Sequence, residues 1–215
     1  MPLGDSLTAF PDSYRGPLYR NLVAQKINVD FVGSVNWGPT IGGDVDGEGH
    51  GGFTIGPDDR VDDRGGKANL FDNVDRWIPA AKPEIILLTI GTNDMAGGGT
   101  WVSQAPGKLT ALVKKLQGLA PNAVIVVGDI PPSTYDPTST NANKDVNAVA
   151  RALGGASPND KVIYGDTAKR LLDTGFQAAR DTVDGIHFSS AGGEMFAKAW
   201  QPAVDEALRL TGRPC

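Results

Sequence analysis

Cysteine is nearly absent from this chain of 215 residues: the single one, Cys215, is the last residue. No disulfide can therefore close within the chain, and no cysteine-based zinc site exists. Histidine is almost as scarce, with only His50 and His187. The longest apolar run, Ile85 to Ile90, falls far short of the roughly 20 residues that a spanning helix needs, so no membrane partner is expected. Runs of Lys or Arg are missing too, and 20 basic residues stand against 25 acidic ones for a net charge of −5. Nucleic acid is excluded as an expected partner, because affinity for phosphates comes largely from clustered cations. No signal-peptide pattern stands at Met1, and a chain numbered from within a longer precursor would show none.

What is present is 40% hydrophobic residues, enough for one sizeable core, and a single domain over residues 1–215 is the expectation. Stretches rich in β-branched residues alternate with stretches of helical period. The expected strands are Val29 to Ser34, Glu84 to Ile90, Ala123 to Asp129 and Lys161 to Gly165, after a short first one at Met1 to Leu3. The expected helices are Tyr14 to Gln25, Asn69 to Ala80, Pro106 to Leu119, Asn141 to Leu153 and Ser189 to Leu210. In the last, Phe196, Trp200, Val204 and Leu208 recur every fourth residue among small neighbours, the stripe of a helix packed on a sheet.

Strands this continuously apolar are buried on both faces, as in a parallel sheet covered by helices. The fold class is then an α/β/α sandwich of three layers, flavodoxin-like, with five parallel strands in the order 2-1-3-4-5 and a ligand site beyond their carboxyl ends. Two segments read as loops: the glycine-dense stretch from Val35 to Lys67 and the polar stretch from Pro131 to Thr140.

Ser6 in Gly4-Asp5-Ser6-Leu7-Thr8 lies just past the first strand. A serine hydroxyl becomes a useful nucleophile only when a base removes its proton and a third group orients that base. His187 follows Asp184 by three residues in Asp184-Gly185-Ile186-His187, a spacing at which the carboxylate turns back onto the ring. Gly91-Thr92-Asn93-Asp94 follows the third strand, and the Asn93 amide suits a developing oxyanion. Each piece alone has an ordinary alternative: a helix N-cap for Ser6, a helix-capping histidine for His187, turn residues for Asn93 and Asp94. Their co-occurrence on one rim favours chemistry.

In order and spacing, the Gly-Asp-Ser-Leu, Gly-Thr-Asn-Asp and Asp-x-x-His segments resemble the SGNH, or GDSL-type, ester hydrolases across nearly the whole chain. Within that superfamily, Met1 to Thr8, Tyr14 to Leu18, Val29 to Ser34 and Glu48-Gly49-His50 are similar to carbohydrate esterase family 3, the acetylxylan esterases. The resemblance implies Ser6 as nucleophile, His187 as general base and Asp184 as its orienter. It also implies an oxyanion hole from the N–H of Ser6, Asn93 and a loop glycine. That glycine is Gly52, before Phe53-Thr54, with Gly51 as rival; family 3 often has Ser-Gly-Trp where this chain has Gly51-Gly52-Phe53. Asp5 and Asp94 are expected to support the turns that present Ser6 and Asn93, and His50 to line the substrate site or lie free in its loop. No cofactor or metal is implied. The expected substrate is an acetylated carbohydrate such as xylan, or another small-acyl ester, and the expected setting is a secreted, modular enzyme.

Three competing readings remain. Asp44, Asp46 and Glu48 suggest calcium ligands, but without an EF-hand pattern and beside Asp58, Asp59, Asp62 and Asp63 they read as solvated loop carboxylates. A non-catalytic module binding an anion at Gly4 to Thr8 would leave His187 and Asn93 without a use. An arylesterase, thioesterase or lysophospholipase on the same scaffold needs an apolar channel, and the rim segments Trp37 to Phe53 and Thr92 to Trp101 hold few aliphatics.

Overall fold

The structure, a computed structural model, describes residues 1–11, 13–36, 44, 46–141, 143–155 and 161–212. The glycine pair Gly42-Gly43, much of the Trp37 to Phe53 rim and Cys215 lie outside the described residues. Five strands form one sheet: β1 (Pro2–Gly4), β2 (Glu48–Gly49), β3 (Ile85–Thr89), β4 (Val124–Val127) and β5 (Val162–Tyr164). All pairings are parallel, in the order β2-β1-β3-β4-β5. Successive strand residues point to opposite faces, so Ile86 and Leu88 enter one core while Leu87 enters the other.

The first core is closed by α3 (Leu70–Ala81), α5 (Gly99–Leu119) and α6 (Lys144–Gly154). The second is closed by α1 (Ser6–Ala9), α2 (Arg15–Ala24), α7 (Thr167–Asp173) and α9 (Ser190–Leu210). The stripe of α9 is buried as the period predicts: Phe196 and Trp200 are fully enclosed, and Tyr14 stacks on Trp200 with centroids 5.3 Å apart. Ser189 caps this helix by accepting from the Gly192 N–H, and Asn69 caps α3 by accepting from Asp72 N–H. Two short helices, α4 (Thr92–Gly97) and α8 (Ala178–Asp181), complete the described elements.

Two expected elements are corrected. The second strand is not Val29 to Ser34 but the dipeptide Glu48–Gly49, 14 residues beyond Ser34. The apolar alternation of 29–32 still buries Phe31. Its backbone, however, is tied by carboxylates instead of a ladder: Asp44 accepts from Phe31 N–H and Glu48 from Ser34 N–H. Helix α5 begins at Gly99, not at Pro106. Pro106 costs one intrahelical hydrogen bond, but the extra N-terminal turns are held by burial of Ala105 and packing of Trp101 beneath Lys108.

Candidate active site

Three neighbouring strands end at the three segments singled out above. β1 leads through Asp5 into Ser6, the first residue of α1; β2, on one side, leads to Gly52; β3, on the other, leads to Asn93 in α4. Gly4 is required at the first turn, because a Cβ there would lie 2.2 Å from the Thr89 carbonyl oxygen and 2.5 Å from Thr8 Oγ1. The Asp5 side chain caps α1 by accepting from Leu7 N–H at 3.0 Å, which fixes the direction in which Ser6 leaves the strand.

Asp184 and His187 stand in a hairpin closed by the Thr182–Phe188 bridge. One Asp184 oxygen accepts from the N–H groups of Ile186 and His187, at 3.0 and 2.8 Å, and the other lies 2.6 Å from His187 Nδ1. With Nδ1 carrying the proton, Nε2 is left as acceptor, and it lies 2.9 Å from Ser6 Oγ. Phe10 stacks on the imidazole at 4.9 Å. Gly185 turns at φ +93° and its carbonyl accepts from Thr134 N–H at 2.8 Å, so the 131–140 loop braces the hairpin. Desolvation pushes the Asp184 carboxyl upward, but the hydrogen bonds from the His187 ring and the two N–H groups outweigh it and hold the group at about 2.

On the other flank, the Asn93 side-chain amide donates to the Phe53 carbonyl at 2.8 Å, and Asp94 accepts from Ile55 N–H at 3.0 Å. These two bonds tie α4 to the loop that follows β2. The amide keeps its second N–H for another acceptor. Gly52 has φ +78°, and a Cβ at either Gly51 or Gly52 would meet nothing within 4 Å, so the backbone here is open to a ligand. Burial pushes both Asp5 and Asp94 up to about 6, against the N–H bonds from Leu7 and Ile55. Asp5 accepts from Leu7 N–H and Asp94 from Ile55 N–H, each within or beside a turn.

His50 is not loose in its loop. Its Nε2 lies 2.6 Å from Glu48 Oε1, and its ring is stacked on Trp77 at 4.3 Å and on Phe53 at 4.8 Å. Glu48 is correspondingly not a solvated loop carboxylate but fully buried, bonded to the Ser34 N–H and hydroxyl as well. Asp44 caps Phe31 and Asp46 N–H groups.

The sequence reading missed one feature. A cavity of about 490 Å³ is walled by Leu7 and Ile186, the sequence neighbours of Ser6 and His187, with Met95, Ile130, Pro131 and Tyr135. Two of its polar lining residues are bonded within the loop: Ser133 Oγ accepts from Tyr135 and Asp136 N–H, and the Asp136 carboxylate from Thr140, Asn141 and Asn143 N–H. The apolar Ile130-Pro131-Pro132 run at the head of the "polar" loop was the available signal.

The sequence profile of the GDSL-like lipase/acylhydrolase family matches residues 3–195, which include every residue of this site. The chain belongs to that family. Among solved GDSL-related structures, the family 3 carbohydrate esterase of Clostridium thermocellum is 28% identical over 99% of this chain and 98% of its own, with a TM-score of 0.77. A family 3 carbohydrate esterase from Talaromyces cellulolyticus, at 22% identity over 97% of both chains and a TM-score of 0.72, shows the same fold. A multidomain esterase of Ruminococcus flavefaciens is 29% identical over all of this chain, which spans 29% of that protein's length. No helix among the described residues is long and apolar enough to cross a membrane.

Proposed function

We propose that the chain is a serine ester hydrolase that removes acetyl groups from acetylated carbohydrate, with Ser6, His187 and Asp184 as its triad. The observation that carries this is the Ser6 Oγ to His187 Nε2 distance of 2.9 Å, with the far ring nitrogen 2.6 Å from Asp184. Ser6 Oγ bonds to the acyl carbon as its proton passes to Nε2, and the carbonyl electrons move onto oxygen. The N–H groups of Ser6 and Gly52 and the free N–H of Asn93 receive that oxyanion. Collapse breaks the ester C–O bond, and His187 protonates the departing sugar hydroxyl. Water, deprotonated by His187, then attacks the acyl-serine and releases acetate and free Ser6. Gly51 remains the rival of Gly52, since both are open.

The likeness to the Clostridium thermocellum carbohydrate esterase supports a carbohydrate substrate. The match to part of a multidomain esterase supports a modular enzyme, and a polymeric substrate would call for secretion. Acetate release from acetylated xylo-oligosaccharides, followed by NMR for wild type and Ser6→Ala together, tests the chemistry and the substrate. Release by the wild type alone is expected.

One observation favours a second reading, an ester with a larger acyl group. The 490 Å³ cavity has mostly apolar walls, which suits hydrocarbon better than hydroxyls. Rates on p-nitrophenyl acetate, butanoate and octanoate decide between them: a fall with chain length supports acetyl, and a preference for octanoate replaces it.

A further inference from the structure

The Gly51–Gly52 turn has almost no packing of its own. A Cβ at either position would touch nothing within 4 Å, and the bond that closes the turn, Phe53 N–H to the His50 carbonyl, is a long 3.3 Å. Its position must therefore be set by its flanks. The leading flank is His50, whose N–H bonds the Gly4 carbonyl at 3.0 Å and so continues the β1–β2 ladder. The trailing flank is Phe53, whose carbonyl holds the Asn93 amide. One side chain joins the two: the His50 ring lies face to face against both Phe53 and Trp77 of α3. The ring in turn is held by the fully buried Glu48, whose carboxylate takes two further hydrogen bonds from Ser34.

We propose that Glu48 and His50 form a positioning pair for the oxyanion hole, acting through the Gly52 N–H and the Asn93 amide and not by touching substrate. The premise is the esterase chemistry proposed above. A carboxylate with three protein donors in a buried site is rigid, because each lost bond leaves a charge unsolvated. That rigidity passes through the ring to a turn otherwise held only by bonds at its two ends. A donor displaced by about 1 Å from a developing oxyanion costs on the order of 100-fold in rate.

His50→Ala is expected to lower kcat by roughly 10- to 100-fold with little change in KM, since the donors act mainly in the transition state. In the double variant with Asn93→Ala, the losses should fall well short of multiplying, because both act through one oxyanion hole. His50→Phe, which retains the stacked ring and lacks the Glu48 bond, should show the same kcat-only loss to a smaller degree, and it carries the test if the alanine variant does not fold. A rise in KM at unchanged kcat would make His50 a substrate contact and overturn the proposal, as would losses that multiply with Asn93→Ala or a His50→Phe enzyme with wild-type kcat. If the wild type hydrolyses no ester, it is the esterase function that falls; if Asn93→Ala is slowed and His50 variants are not, only the positioning role falls.

Discussion

The two flanks of Ser6 are built in opposite ways. On the His187 side the partners are three residues apart, meet in one hairpin, and the Asp184 side chain is 51% exposed. On the side of the proposed oxyanion hole the partners are distant in sequence, bonded across 39 and 40 residues between α4 and the loop after β2. Their supporting carboxylates, Glu48 and Asp94, are fully buried. A local turn can hold a base with solvent at its back, because its geometry comes from backbone bonds to Asp184. Donors aimed at a transient charge have no local partner to hold them, so the fold supplies buried ties instead.

The contrast is broken most completely at the base. His187→Ala should cost kcat/KM on the order of 10⁶-fold, whereas Asp184→Asn should cost at least tenfold less, its exposed carboxylate being screened by water. Steady-state kinetics on a small aryl ester measure both; equal losses would mean that the exposed Asp184 is as indispensable as the base. Because Asp184 titrates at about 2, it stays ionised through the mildly acid range. Any stability it contributes is present above the ordinary value of 3.8 and lost only as pH falls toward 2.

On the oxyanion flank, Asn93→Ala should lower kcat by roughly 100- to 1000-fold. Asn93→Asp puts an acceptor-only carboxylate against the Phe53 carbonyl and the oxyanion position, so its loss should be at least as large as that of Asn93→Ala. Flat kinetics in Asn93→Ala would remove it from the oxyanion hole.

A further effect concerns stability and not rate. Asp5 holds its proton to about 6 in the folded chain against an ordinary 3.8, so between those values the folded state binds more protons and stability falls as pH rises. Asp5→Asn lacks that titration. Its stability relative to wild type, measured by urea unfolding at pH 4 to 7, should rise through this window by on the order of 3 kcal/mol and then level off. A difference that does not vary with pH would show Asp5 to be ionised throughout.

Much of the molecule is legible in the sequence alone. The period of Phe196, Trp200, Val204 and Leu208 gave α9 and its buried face, and the apolar runs gave β3, β4 and β5 in a parallel sheet with the order that was found. Ser6, His187 and Asp184, the triad proposed here, stood out because each sits in a short motif whose chemistry depends on local spacing. Other features depended on contacts that local spacing does not encode. Val29 to Ser34 has the pattern of a strand, yet Asp44 and Glu48 take its N–H groups and the two-residue β2 takes its place in the sheet. Pro106 marks a helix start by local rules, yet tertiary packing carries α5 back to Gly99. His50 and Glu48, two residues apart, read as loop residues until Trp77, 27 positions onward, closes over the ring. Sequence by itself determined what recurs over a few residues: periodicity, turns and the Asp184–His187 spacing. Only the tertiary structure decided which polar groups lose water and must therefore find distant partners, because desolvation depends on what the rest of the chain brings to cover them.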